Sequence, residues 1–265
     1  MPDFSTVEDT LFVPMLGRIY SSENFPHILK DEKAMELKPM LPKNLKGQDT
    51  QTQYTLMASA VRSTNMDRYI KDFMAREPEG VVVQLGCGLE TTHYRCDNGK
   101  TVWFEVDLPD VINYRCQLLP ESEREKFIAA DAFGEEWIKQ VRGEYPKAPM
   151  LVTASGLFYY FEAKTVLRLF MKLKEYGPVE IVFDTVNKSG MKQMSKYMKQ
   201  VGHSDAAMYF YVDKAKTLEE KLGCRTQEEA YYAHIPKKGL QFMTVASMTV
   251  SDWLMMVKMV RLNID

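Results

Sequence analysis

The chain has 265 residues, 45% of them hydrophobic and 26% charged, with a formal net charge of −2 at pH 7. That balance suits a soluble globular enzyme with one α/β domain and room for a cap or lid. No long Lys/Arg block is present, which argues against nucleic acid or an anionic membrane as partner, and no apolar run approaches the ~20 residues of a membrane span. Cys87, Cys96, Cys116 and Cys224 form no C-x-x-C pair, and the four histidines are equally scattered. These features predict a cytoplasmic protein with reduced thiols and no metal site.

Residues 1–50 read as an irregular N-terminal cap. A short apolar piece, Thr10–Met15, is broken by Pro14, and prolines punctuate helical turns such as Asp31–Lys38. From Thr50 to Arg76 the pattern is helical, with Met66, Tyr69, Ile70, Phe73 and Met74 on one stripe. Val81–Leu85 is a β-branched run suited to a strand buried on both faces. Gly86-Cys87-Gly88 follows it, and a second strand, Val102–Val106, ends on Asp107. A helix from Pro109 to about Leu119 comes next, then a strand Phe127–Ala130 ending on Asp131. A helix with Trp137, Ile138 and Val141 on one face precedes a strand Met150–Ala154. Ser155–Phe161 forms a turn. Helix Ala163–Tyr176 is expected to point Val166, Leu167, Phe170 and Met171 inward, and strand Glu180–Asp184 closes the regular part.

This alternation predicts a doubly wound, mostly parallel, seven-stranded sheet, Rossmann-like, with ligands beyond the carboxyl ends of its strands. After Val186 the pattern loosens. A polar helix Lys188–Val201, a strand at Tyr209–Val212 and a helix Lys214–Leu222 are expected, and residues 186–223 are a candidate lid. The run Phe242–Val250 alternates, a helix is expected from Trp253, and Met259–Ile264 returns as a final strand. The whole chain, 1–265, reads as one domain.

The turn at Gly86 and Gly88, with an acid about 20 residues on, is the layout of a nucleoside-cofactor site. The glycines let backbone approach the ligand, and Asp107 can accept both ribose hydroxyls. A dinucleotide fingerprint needs a third glycine at position 91, which is Thr91. No G-x-x-x-x-G-K-[ST] motif is present. A cofactor with ribose and adenine but no phosphate fits better, and S-adenosyl-L-methionine (SAM) is the expected cofactor. A nicotinamide-dependent oxidoreductase is the disfavoured alternative.

The blocks LGCGLETTHYR and WFEVDLPDVI, with Ala60–Asp67 upstream, resemble the leucine carboxyl methyltransferase superfamily, in its branch of polyketide-synthesis O-methyltransferases. The resemblance implies a class I SAM-dependent methyltransferase fold. It implies that Arg62 binds the SAM carboxylate, that Gly86 and Gly88 lie under the methionine part, and that Asp107 takes the ribose. Glu105, two residues earlier on the same strand face, is a possible substitute for Asp107. Asp131 and Ala132 match the loop at the adenine edge. The family pattern A-E-G-x-L-x-Y departs here, because Ser155 stands where it has glutamate; a hydroxyl still bonds hydrogen but brings no charge. Glu90 and Arg95 are kept. Phe158, Tyr159 and Tyr160 are candidate walls of an acceptor pocket, and His93 is expected to pack rather than act as a base. No dedicated catalytic base is evident. The expected reaction is methylation of an oxygen on a small-molecule acceptor. A SAM-binding protein without catalysis and a methyltransferase acting on a protein C-terminus remain as alternatives.

Overall fold

A computed structural model describes residues 8–42, 51–200 and 208–265. Its strands are β1 (Val81–Leu85), β2 (Val102–Asp107), β3 (Glu125–Ala129), β4 (Met150–Ala154), β5 (Val179–Val186), β6 (Arg225–Ala230) and β7 (Val257–Ile264). They form one seven-stranded sheet in the order β3-β2-β1-β4-β5-β7-β6. Every neighbouring pair from β3 to β5 is parallel, and β7 runs antiparallel to both β5 and β6. The order reverses at β1, between β2 and β4, so a crevice opens beyond the carboxyl ends of those strands.

The two faces of β1 meet different cores. Val81, Val83 and Leu85 join the side chains of α6 (Glu136–Glu144), α7 (Ala163–Glu175) and α9 (Lys216–Leu222), among them Trp137, Phe170 and Leu218. Val82, with Trp103, Leu151 and Val182, faces α3 (Gln53–Arg76) and α10 (Phe242–Trp253). Burial on both sides is why these strands are continuous apolar runs rather than alternating ones. Thr52 caps α3, its hydroxyl accepting the Thr55 N–H at 3.2 Å, and the stripe Met66, Tyr69, Ile70, Phe73, Met74 is buried.

Several expectations are corrected. The N-terminal cap is not irregular: α1 spans Glu8–Asn24 with Pro14 inside it. The helix gives up the bond that Pro14 has no N–H to make, and burial of Phe12, Met15 and Ile19 offsets the loss. Those residues form a third core with Ala34 and Leu37 of α2 (Glu32–Leu37) and with Leu89 and Leu119. In α7, Leu169 and Leu173 face inward with Val166 and Phe170, whereas Met171 is exposed. The third strand starts earlier than expected, at Glu125. Tyr209–Val212 is not a strand, although Tyr209 N donates to Tyr159 O at 2.7 Å and Val212 N to Val186 O at 2.8 Å. Phe242–Trp253 is a helix rather than an alternating strand, and β6 was not foreseen.

Of the candidate lid, α8 (Lys188–Gln200) is confirmed as a helix as far as Gln200; Val201 lies outside the described residues. Phe210, Val212, Ala215, Leu218 and Leu222 belong to the main core. Among the described residues, no helix is long and apolar enough to cross a membrane, and no group of three or more His, Cys, Asp or Glu is placed to hold a metal ion. All four cysteines are free.

Candidate active site

The turn after β1 is shaped by its sequence. Gly86 and Gly88 have φ of 62° and 48°, left-handed values that residues with a Cβ adopt at a cost. Gly86 N and Cys87 N both donate to Val106 O, at 2.8 and 3.2 Å, which ties the turn to β2. Asp107 then closes it. Its Oδ2 accepts Gly88 N and its Oδ1 accepts Leu108 N, each at 2.8 Å. Burial pushes its carboxyl above the ordinary range, and those two N–H bonds resist the rise. Each oxygen keeps a further lone pair, so the carboxylate remains a two-pronged acceptor at the end of β2. A Cβ on Gly88 would lie 2.9 Å from Leu11 Cδ1, and one on Gly86 would lie 3.0 Å from Leu157 Cδ1. The cap helix α1 and the turn after β4 therefore converge on the glycine turn.

Arg62 projects from the middle of α3 toward the ends of β4 and β5. Its Nε lies 3.1 Å from Asp184 Oδ2, and its side chain keeps 22% of its exposure while Asp184 keeps 1%. Burial works against the Arg62 charge, but Asp184 overcomes it and holds the guanidinium firmly protonated. Gly156, with φ of 70°, lies directly beneath: a Cβ there would be 2.3 Å from Arg62 Nη1. Ser155, half-buried, precedes it.

The other sequence candidates divide. Asp131 is exposed, its Oδ1 accepting Phe133 N at 3.0 Å, and the buried Ala132 accepts Trp137 Nε1 at 3.0 Å, so both sit in a tight turn at the carboxyl end of β3. Phe158 is core, ringed by Phe133, Phe170, Phe183 and Phe210. Tyr159 is also buried, and its hydroxyl donates to Asp184 Oδ2 at 2.5 Å. Tyr160 alone of the three is half-exposed, set edge-on to Tyr159. Burial raises the Tyr160 phenol, so it stays neutral.

Glu105 does not stand in for Asp107. The strand period puts both on one face, yet Glu105 lies two residues inside β2, fully buried, accepting Gln84 Nε2 at 2.6 Å. Burial pushes its carboxyl up to about 7. His93 packs, as expected: its ring meets Trp103 edge-on at 5.4 Å, and its Nδ1 lies 3.0 Å from Glu125 Oε2.

Three groups about the turn were given no role in the sequence reading. Asp184, expected only as the polar end of its strand, is one. Arg115, on α5 (Pro109–Leu118), is another, donating from Nη1 to Gly88 O at 3.1 Å and Glu90 O at 2.8 Å, which braces the turn from below. The third is the Arg18–Asp31 pair, joined at 2.9 Å. Arg18 also reaches Glu90 at 3.1 Å and Leu89 O at 2.8 Å, while Arg95 bonds Asp31 at 2.6 Å, Asp67 at 2.8 Å and Glu90 at 3.0 Å. Glu90 and Arg95 thus tie α1, α2 and α3 to the turn. Thr91, where a dinucleotide site has glycine, donates its hydroxyl to Asp31 at 2.5 Å.

A profile of the leucine carboxyl methyltransferase family matches residues 12–174. The chain belongs to that family. It is a SAM-dependent methyltransferase, and membership removes the nicotinamide alternative. A curated relative is the tetracenomycin polyketide synthesis O-methyltransferase TcmP of Streptomyces glaucescens, 27% identical over 226 residues, covering 84% of this chain and 82% of that protein. Similar folds occur in a protein of Thermobifida fusca YX described as a methyltransferase, with TM-score 0.63, 14% identity and coverage of 99% and 97%. A second is the magnesium protoporphyrin IX methyltransferase ChlM of Synechocystis PCC 6803 with bound SAH, with TM-score 0.50, 10% identity and coverage of 96% and 100%.

Proposed function

We propose that this methyltransferase alkylates an oxygen, a carboxylate or hydroxyl, on a small polyketide-like molecule, in the cytoplasm. What supports this reading is that two opposite charges stand at the carboxyl ends of the parallel strands: the Arg62 guanidinium, ion-paired to Asp184 of β5, and the Asp107 carboxylate at the end of β2, clamped to the Gly88 N–H. A SAM molecule carries a matching carboxylate and ribose diol. Arg62 would hold the first and Asp107 the second, with Gly86 and Gly88 admitting the chain between them and Asp131 and Ala132 at the adenine edge.

The bound cofactor supplies an electrophilic methyl group. The chain's own task is to orient the acceptor oxygen in line and keep water away. Tyr160, half-exposed beside Arg62, is the side chain placed to meet an acceptor, and α8 is the element left to cover it. No histidine or free carboxylate stands beside Tyr160 among the described contacts, which favours an acceptor that is ionised already, such as a carboxylate. TcmP acts in polyketide synthesis by name, and the 82% span of its length is what brings that substrate class here.

The test is titration calorimetry with S-adenosylhomocysteine, followed by methyl transfer from labelled SAM to a panel of aromatic polyketide acids and phenols. Binding with transfer to an acid is the expected result. No binding would refute the donor reading. Binding without transfer to any acceptor, peptide C-termini included, would support the non-catalytic alternative.

A further inference from the structure

We propose that Asp184 is the positioning residue of the donor site: it fixes Arg62 so that the two terminal guanidinium nitrogens, rather than Nε, face the carboxylate of the donor's methionine half. This rests on the donor reading above and adds a residue to it.

Asp184 lies two residues before the end of β5, and the parallel register pairs Phe183 with Ala154 of β4. The next position on each strand is Asp184 and Ser155, side by side at the sheet's carboxyl edge. The resemblance to the family predicts a glutamate at 155, which here would set two carboxylates against one arginine. Like charges so placed repel. With serine there, a single acid answers a single arginine, and that acid comes from β5.

The carboxylate is fully engaged and faces no solvent. Its Oδ1 accepts Gly156 N at 2.7 Å, and its Oδ2 accepts the Tyr159 hydroxyl at 2.5 Å and faces Arg62 Nε at 3.1 Å. At 1% exposure it has no access to a ligand or an acceptor proton, so it is neither a ligand-binding group nor a base. Its effect must pass through its partners. The Asp184 charge, an ion pair at 3.1 Å from Nε without a hydrogen bond, draws the guanidinium to the β5 side, and Gly156, lacking a Cβ, lets its plane lie close over the turn. The Tyr231 hydroxyl, which donates to Ala58 O, accepts from the same guanidinium, and the N–H groups that remain on its outer side are set for a carboxylate. Tyr159, buried and bonded to the same oxygen, keeps Asp184 itself from rotating.

The experiment compares two ligands. S-adenosylhomocysteine has the amino-acid carboxylate; 5′-methylthioadenosine has the same nucleoside and thioether without it. Asp184→Asn keeps the shape but removes the charge facing Arg62 and leaves one acceptor oxygen for the Gly156 N–H and the Tyr159 hydroxyl. The expected result, by calorimetry, is a Kd for S-adenosylhomocysteine raised about 10-fold or more, with the Kd for methylthioadenosine within about 2-fold of wild type. Tyr159→Phe removes one brace and should shift the same ratio by about 3-fold. It serves if Asp184→Asn does not fold. Equal weakening of both ligands, or no change in their ratio in Tyr159→Phe, would overturn the proposal and leave the donor reading standing. A wild type that binds neither nucleoside would overturn both.

Discussion

Glu90→Gln tests whether the glycine turn is held by the buried ion network. Burial works against the Glu90 charge, but Arg18, Arg95 and the Thr91 N–H outweigh it and pull the carboxyl from 4.5 down to about 2. That separation corresponds to about 3 kcal/mol of stability, present above the unfolded value and lost as pH falls through the folded one. Removing a buried partner often costs 3–5 kcal/mol because a charge is stranded. Here Arg18 and Arg95 keep Asp31 and Asp67, so the substitution leaves two cations with two anions, and the lower figure holds. Urea unfolding at pH 7 should therefore show the variant about 3 kcal/mol less stable. At pH 3 much of the wild-type advantage is gone, and the gap should shrink to about 1 kcal/mol. A gap that stays constant from pH 7 to pH 3 would refute the reasoning, since it would mean the loss is one of shape and not of charge.

Other substitutions probe the remaining parts. Gly156→Ala forces a Cβ to within 2.3 Å of Arg62 Nη1 at a φ of 70°. Backbone strain of about 1–2 kcal/mol should lower Tm, and displaced Arg62 should weaken S-adenosylhomocysteine about 10-fold or more; full affinity by calorimetry would contradict it. Glu105 holds its proton to about 7 when folded, so its contribution falls as pH rises from 4.5 through about 7. Glu105→Gln should be more stable than wild type at pH 8, by up to about 3 kcal/mol, with the advantage gone by pH 4.5; urea midpoints across that range check it. His93→Gln should keep methyl transfer within about 3-fold while losing about 1 kcal/mol of stability, and a loss of activity beyond 100-fold would restore His93 as a base.

The parallel core was legible because β1, β2, β4 and β5 carry mostly buried apolar runs bounded at one end or both by glycine, proline or an acid, whereas β3, EKFIA, showed only its second half. The ends of the chain were less so, for separate reasons. β6, RTQEEA, is an edge strand paired only with β7, and its Glu228 bonds Lys258 rather than packing, so no apolar pattern marks it. In α10 the buried positions are Thr244, Met248 and Ser251, while Phe242, Met243, Val250 and Trp253 face out. Outward apolar residues mixed with inward polar ones erase the 3.6-residue signal and leave a false alternation. Pro14 misled by the opposite route: its local cost is real, and the packing of α1 overrides it.

The site shows the same division between local and distant information. Gly86, Gly88 and Asp107 lie within 22 residues of one another and are joined by a strand, a turn and a strand, so their geometry follows from spacing alone. Asp184 is 122 positions from Arg62, and Asp31 is 60 from Thr91; only the sheet order and the seating of α1 and α2 bring them together. Glu90 and Arg95, kept from the family pattern, show the same dependence on distant partners. Their charges do not face the crevice. Glu90 and Arg95 bond to the cap helices and α3, and Arg115 grips the carbonyls of Gly88 and Glu90 from the other side. The turn is held between an ion-pair network and the Arg115 bonds to its carbonyls, which is what the proposed donor site needs if its glycines are to stay in place. The proposed acceptor side has no such clamp: Tyr160 is half-exposed, and Ser155, just past the end of β4, carries no charge. Selectivity for the acceptor must then come from shape and desolvation more than from fixed charge, so substitutions at Tyr160 should change which acceptor is used more than how tightly the donor is held.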